Sequence, residues 1–175
     1  MDRRYSYSNI SKSEINFIIN EGVIILNYKD GKQKKFTRGK INKGKLPKNK
    51  IFHINSLIYN EEKQMEEIYN KYDCIYNEID NSLYLIINEK DNYSKFTKDK
   101  LINILEFSIS LGIDKICLLI SKLNKQFLNI IQDMLIVGFK SEKIFKRITI
   151  DENEYKMLKM LIKDMNQEIK EVTLI

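Results

Sequence analysis

Histidine and proline each occur once in this chain of 175 residues, and cysteine twice. His53, between Phe52 and Ile54, has no Ser, Cys or second His in a recognisable arrangement with it, so it reads as a half-buried structural residue rather than a catalytic base. Cys74 and Cys117 lie in apolar, strand-like runs without metal-ligand spacing, which fits reduced, buried thiols in a cytoplasmic protein. No catalytic residue and no metal ligand emerges. No run approaches the roughly 18 apolar residues of a membrane span. The opening MDRRYSYSN has charge but no apolar stretch behind it, so neither membrane insertion nor secretion is expected. What remains is a chain 43% apolar, enough to bury a core, read as a single domain over 1–175.

Lysine outnumbers arginine 26 to 4, a bias that AT-rich coding sequence produces as readily as selection does. The charge is also unevenly placed. Residues 1–60 hold 13 Lys or Arg against 4 Asp or Glu, and residues 61–175 hold 17 against 20, so the first part carries +9 and the rest −3. Most of the excess lies in 32–50, KQKKFTRGKINKGKLPKNK, which has no acid and contains Gly39, Gly44 and Pro47. Such a segment reads as a mobile basic loop. Its cations Lys32, Lys34, Lys35, Arg38, Lys40, Lys43, Lys45, Lys48 and Lys50 are candidate contacts to RNA phosphates, acting through counterion release. A solvated loop explains the same residues. Phe36 alone interleaves the lysines, which gives base stacking little support.

Before that loop, after an N-terminal extension over 1–21, an apolar strand from Gly22 to Lys29, the pair Asp30-Gly31 and a basic return strand spell a hairpin with a type I′ turn. IFHINSLIYN supplies a further strand. EEKQMEEIYNKY predicts a short acidic helix with Met65 and Ile68 on one face. Tyr72 to Ile79 predicts a strand pairing with Leu83 to Asn88 across Asp80-Asn81.

The clearest punctuation falls between Asn81 and Lys140, where the order is strand, helix, strand, helix. NSLYLIINEK alternates as a strand. Thr97 is a candidate N-cap for a helix over Asp99–Leu111, stopped by Gly112. DKICLLISK is a continuous apolar run of strand length, as expected of a strand buried on both faces. A second helix, Asn124–Val137, ends at Gly138. Beyond it, Lys143 to Ile150 reads as a strand, and DENEYKMLKMLIKDMNQEIKEV fits an amphipathic helix through Leu158, Leu161, Ile162, Met165 and Ile169. The fold class is therefore α+β, a mixed and mostly antiparallel twisted sheet with two main helices.

This order, with Ser82-Leu83-Tyr84, Lys98-Asp99, Leu105-Glu106-Phe107, Asp114, Cys117, Ser121-Lys122 and Gly138-Phe139, resembles the ornithine decarboxylase antizyme family. The resemblance covers roughly a third of the chain, and antizymes share the architecture of N-acetyltransferases. It implies an antizyme-like core over 72–162 and a final strand over Tyr155 to Ile162, leaving 163–175 as a C-terminal helix or tail. The end of the chain thus carries two readings, strand or helix over 154–162. The resemblance also implies a protein that binds ornithine decarboxylase, within polyamine regulation, through a face that matches Lys98, Asp99, Glu106 and Lys122 here. Where the family carries further acids one turn after Leu-Glu-Phe, this chain has Ile109 and Ser110. Acetyltransferases hold the pyrophosphate of coenzyme A on backbone N–H groups of a Gly-rich turn after the central strand. The corresponding connection, Asn88 to Asp99, contains no glycine, so no cofactor and no small-molecule substrate is expected. Two functions follow: a non-catalytic inhibitor occupying a target surface, or a ribosome-associated or RNA-bound factor, such as a translation-silencing (dormancy) factor, using the basic loop.

Overall fold

The computed structural model describes residues 12–20, 23–27, 30, 32–37, 44, 46–48, 50–91, 93, 104–105, 107–109, 111–143 and 150–164, some strand residues by their backbone only. Among the described residues, nine strands form one sheet: β1 (Lys12–Asn20), β2 (Val23–Asn27), β3 (Gln33–Thr37), β4 (Ile51–Asn60), β5 (Met65–Asn77), β6 (Ser82–Ile87), β7 (Lys115–Ser121), β8 (Lys140–Glu142) and β9 (Tyr155–Leu161). Their order is β3-β2-β1-β4-β5-β6-β7-β9-β8. Only β1 with β4 and β6 with β7 are parallel; the other pairs are antiparallel.

The apolar runs of β6 and β7 are continuous because both faces are covered. Leu83, Leu85, Ile87, Ile116, Leu118 and Ile120 belong to one buried cluster, and Tyr84, Ile86, Cys117 and Leu119 to another. Both helical segments contribute to the first cluster, through Ile104, Leu105 and Phe107 and through Ile130 and Met134. Phe107 meets Phe17 of β1 edge-on, 5.3 Å between ring centres, and Phe17 meets Phe52 of β4 at 5.6 Å. The N-terminal strands thereby share the helix-covered core.

Each helix ends where a glycine permits positive φ. Gly112 has φ 71° and Gly138 φ 123°. Ile113 N–H donates to the Ser108 carbonyl and Phe139 N–H to that of Met134, both at 3.0 Å, closing the last turns on carbonyls that would otherwise be unpaired. The Phe127–Val137 helix starts three residues later than its spacing suggests, because Lys122 to Gln126 form turns. Helical residues 104–105 and 107–109 fall inside the predicted Asp99–Leu111 helix, whose start lies outside the described residues.

Several expectations are corrected. Lys12–Asn20, assigned to an extension, is a strand inside the sheet, between β2 and β4. The acidic helix from Glu61 is instead a turn followed by β5, which pairs with β4 from Met65 onward. Partners outweigh the local spacing of Met65 and Ile68. The β2–β3 hairpin is present, but pairing Asn27 with Gln33 leaves residues 28–32 between the strands, longer than a two-residue type I′ turn. The basic segment holds β3, and Leu46 is 3% exposed in the core, so an apolar anchor divides what the charges alone suggest is one mobile loop. The amphipathic helix read after Asp151 is overturned by β9, while the strand implied by the resemblance is present. β8 precedes the predicted Lys143–Ile150 strand, and 144–149 lie outside the described residues.

Candidate functional site

Parallel strands place their carboxyl ends side by side, and here the loops following β6 and β7 meet. Between them lies a cleft of about 630 Å³, lined by Glu89, Lys90, Asp91, Leu123, Asn124, Lys125 and Gln126. The strands remain paired to their ends, through Ile87 and Ile120. Asn124, 5% exposed, then ties the loops together: its Nδ2 donates to the carbonyls of Asn88 (2.8 Å) and Asp91 (3.0 Å). Its Oδ1 accepts from Gln126 N–H at 2.9 Å, fixing the approach to the helix.

Three backbone N–H groups at this strand end are used within the protein. Asn88 N–H donates to Asp91 Oδ2 (2.8 Å), Asp91 N–H to the Asn88 carbonyl (3.2 Å) and Tyr93 N–H to Gln126 Oε1 (2.9 Å). Burial raises the Asp91 carboxyl above its ordinary pKa, Asn88 N–H opposes that rise, and nearby Asp73 adds to it. Burial first, then the hydrogen bond to Asp133, raises the Tyr93 phenol. Among the described residues, the cleft thus presents two acids, Glu89 and Asp91, and two lysines, Lys90 and Lys125, beside three backbone donors used within the protein.

Asn88 also begins a polar chain across the sheet. Its Nδ2 donates to Asp73 Oδ2 at 3.2 Å, Tyr155 Oη donates to its Oδ1 at 3.3 Å, and His53 Nε2 lies 2.8 Å from Asp73 Oδ1. Burial raises the Tyr155 phenol. The His53 and Asp73 side chains are 17% and 23% exposed, so His53 is half-buried as expected. Ser121 lies on β7, three strand spacings or roughly 14 Å from His53 on β4, too far to be activated by it. The opposite strand ends are tied structurally: Tyr84 Oη donates to Asp80 Oδ2 and Asn81 Nδ2 to the Gly112 carbonyl, both at 2.9 Å. Among the described residues, no group of three or more His, Cys, Asp or Glu is placed to hold a metal, and no helix is long and apolar enough to cross a membrane. Both thiols are buried as expected, which pushes Cys117 up to about 12 and Cys74 well above its ordinary value.

Of the residues proposed for decarboxylase docking, Lys122 is exposed, its Nζ donating to the Glu152 carbonyl at 3.1 Å. Lys98, Asp99 and Glu106 lie outside the described residues. Ile109 packs against the core, and Ser110 lies outside the described residues. Among the basic residues, Lys32, Lys34, Lys35, Lys48 and Lys50 are exposed, while Arg38, Lys40, Lys43 and Lys45 lie outside the described residues. β3 holds Lys34 and Lys35 at the sheet edge, next to Lys32. Lys48 is bridged to Tyr76 of β5 and lies 2.9 Å from Glu78. Four strand spacings, roughly 19 Å, separate β3 from β5, so the ends of the basic segment form no single patch. The residues missed from sequence are Asn88, Asp91, Tyr93, Asn124 and Gln126. Their only sequence signal is a polar cluster directly after each parallel strand.

No protein-family model and no curated protein matches this chain. Among solved structures, a spermidine N-acetyltransferase chimera from Vibrio cholerae and hSSAT is similar at 18% identity, with a TM-score of 0.39. The match spans 61% of this chain and 65% of that one. The α+β description rests on the strand order itself.

Proposed function

We propose that this chain is a non-catalytic regulatory binding protein that inhibits a target by occupying its surface. The observation carrying this reading is the use of the Asn88, Asp91 and Tyr93 N–H groups inside the protein, beside strands that stay paired to their ends. An acyl-carrier cofactor needs such donors for its phosphates, and Glu89 and Asp91 would repel them. The target suggested by the antizyme resemblance is ornithine decarboxylase, met by Lys98, Asp99, Glu106 and Lys122. Charge complementarity governs selectivity at such a surface.

A second reading, an RNA-bound or ribosome-associated factor, is favoured by the exposure of Lys32, Lys34 and Lys35 along the β3 edge. Lysine also protects a sheet edge against unwanted strand pairing, which explains these residues without RNA. The test is to mix the purified protein with the decarboxylase of its own organism, and separately with that organism's ribosomes at low and moderate salt. A decarboxylase complex at micromolar concentration that weakens with Lys122→Glu is expected on the first reading. No such complex, together with ribosome co-sedimentation that the Lys34, Lys35, Arg38 and Lys40→Glu variant abolishes, would replace it with the second.

A further inference from the structure

A helix that covers one sheet face needs one apolar side, but the Phe127–Val137 helix has two. Ile130 and Met134 point into the core, while Leu128, Leu135 and Ile136 are 72%, 47% and 84% exposed. Leu128, Ile131 and Leu135 follow one another at spacings of three and four, the seam of two packed helices, with half-buried Ile131 also packed against the core and so marking the seam's inner border. Exposed Gln132 flanks the seam without charge.

We propose that this seam pairs with the same helix of a second copy of the chain, antiparallel and about a two-fold axis near Gln132. The ends of the helix argue for that occupant. Its first turn has no acid and its last turn no base, so neither end of the helix dipole is compensated by its own charges. Lys125, exposed just before the helix, has the wrong sign for the end it occupies. Antiparallel pairing sets Leu128 against Leu135 of the second copy and brings Lys125 beside the other helix's C-terminal carbonyls, where a cation is favourable. A parallel pair would instead align like dipole ends and both Lys125 side chains.

Eleven residues make a helix only about 17 Å long, so the pair covers less than a standard interface of about 1,600 Å². The dimer should therefore be weak and concentration-dependent. Analytical ultracentrifugation from about 5 to about 500 µM should show mass rising from monomer toward dimer. Leu128→Asp with Leu135→Asp should weaken association by at least about tenfold while leaving the circular dichroism spectrum intact, since both side chains are exposed. Lys125→Glu should weaken it severalfold at low salt. Under mild oxidation, Gln132→Cys should cross-link to itself, and Leu128→Cys should cross-link to Leu135→Cys in preference to itself; Cys74 and Cys117 are buried and do not compete. A monomer at every concentration, a dimer insensitive to the double aspartate variant, or efficient self-cross-linking of Leu128→Cys would each overturn the proposal.

Discussion

Asn124 does the work of several residues because its amide faces acceptors on one side and a donor on the other. Its Nδ2 satisfies two carbonyls of the β6 loop while Oδ1 caps the turn before the helix. Asn124→Ala should therefore cost about 1–2 kcal/mol, because both loop bonds are lost and the part-buried Asp91 carbonyl loses its amide donor, while the Asn88 carbonyl keeps Asp91 N–H. Asn124→Asp should cost more, although it keeps the capping oxygen, because it turns an acceptor toward two other acceptors. Urea denaturation of the two variants measures the order, and an aspartate variant as stable as the wild type would remove the bridging role. Nothing about Asn124 in the sequence marks it out, since asparagine after a strand is ordinary turn chemistry. Its role comes from Asn88 and Asp91, more than thirty residues earlier in the chain. His53, by contrast, was legible as half-buried from its place between Phe52 and Ile54, though its Asp73 partner was not.

At the scale of elements, β6, β7 and both helix stops were readable because local signals agree with their surroundings: apolar runs of strand length, and glycines at the ends of helical spacing. Tyr72 onward was readable as the strand that pairs with β6, but the first half of β5, and β9, were not readable from spacing. Met65 and Ile68, or Leu158, Leu161 and Ile162, satisfy a helical pattern equally well, and only pairing with β4 or β7 decides. β9 is open to a direct test. Met157 lies off the helical stripe but is 1% exposed in the strand, whereas Leu161 lies on the stripe and is half-buried. Met157→Ala should cost about 2–4 kcal/mol and Leu161→Ala less than half of that, as judged by denaturation midpoints. The reverse order would restore the helix. β3 was legible as a basic strand, but the five-residue span to β2 was not, since loop length depends on where pairing stops.

For the whole molecule, the closed strand ends predict indifference to acyl-carrier cofactors. Coenzyme A at millimolar concentration should leave the melting temperature unchanged, because only a ligand bound by the native state raises it. A clear rise would mean that the loops open and would revive an acetyltransferase reading. The strand order carries one more consequence. Reading outward from either parallel seam, the sheet resolves into three antiparallel triplets, β1 to β3, β4 to β6 and β7 to β9, each continuous in sequence. Hairpin closure is local and fast, whereas a parallel seam must await two distant segments. The chain should therefore assemble from two pre-formed ribbons, β1 to β3 and β4 to β6, that zip together along β1–β4, while β7 must await β9 from beyond the Phe127–Val137 helix as well as β6. Partial unfolding should follow the same lines, with the first ribbon peeling from the β1–β4 seam while the six strands that carry the cleft stay closed.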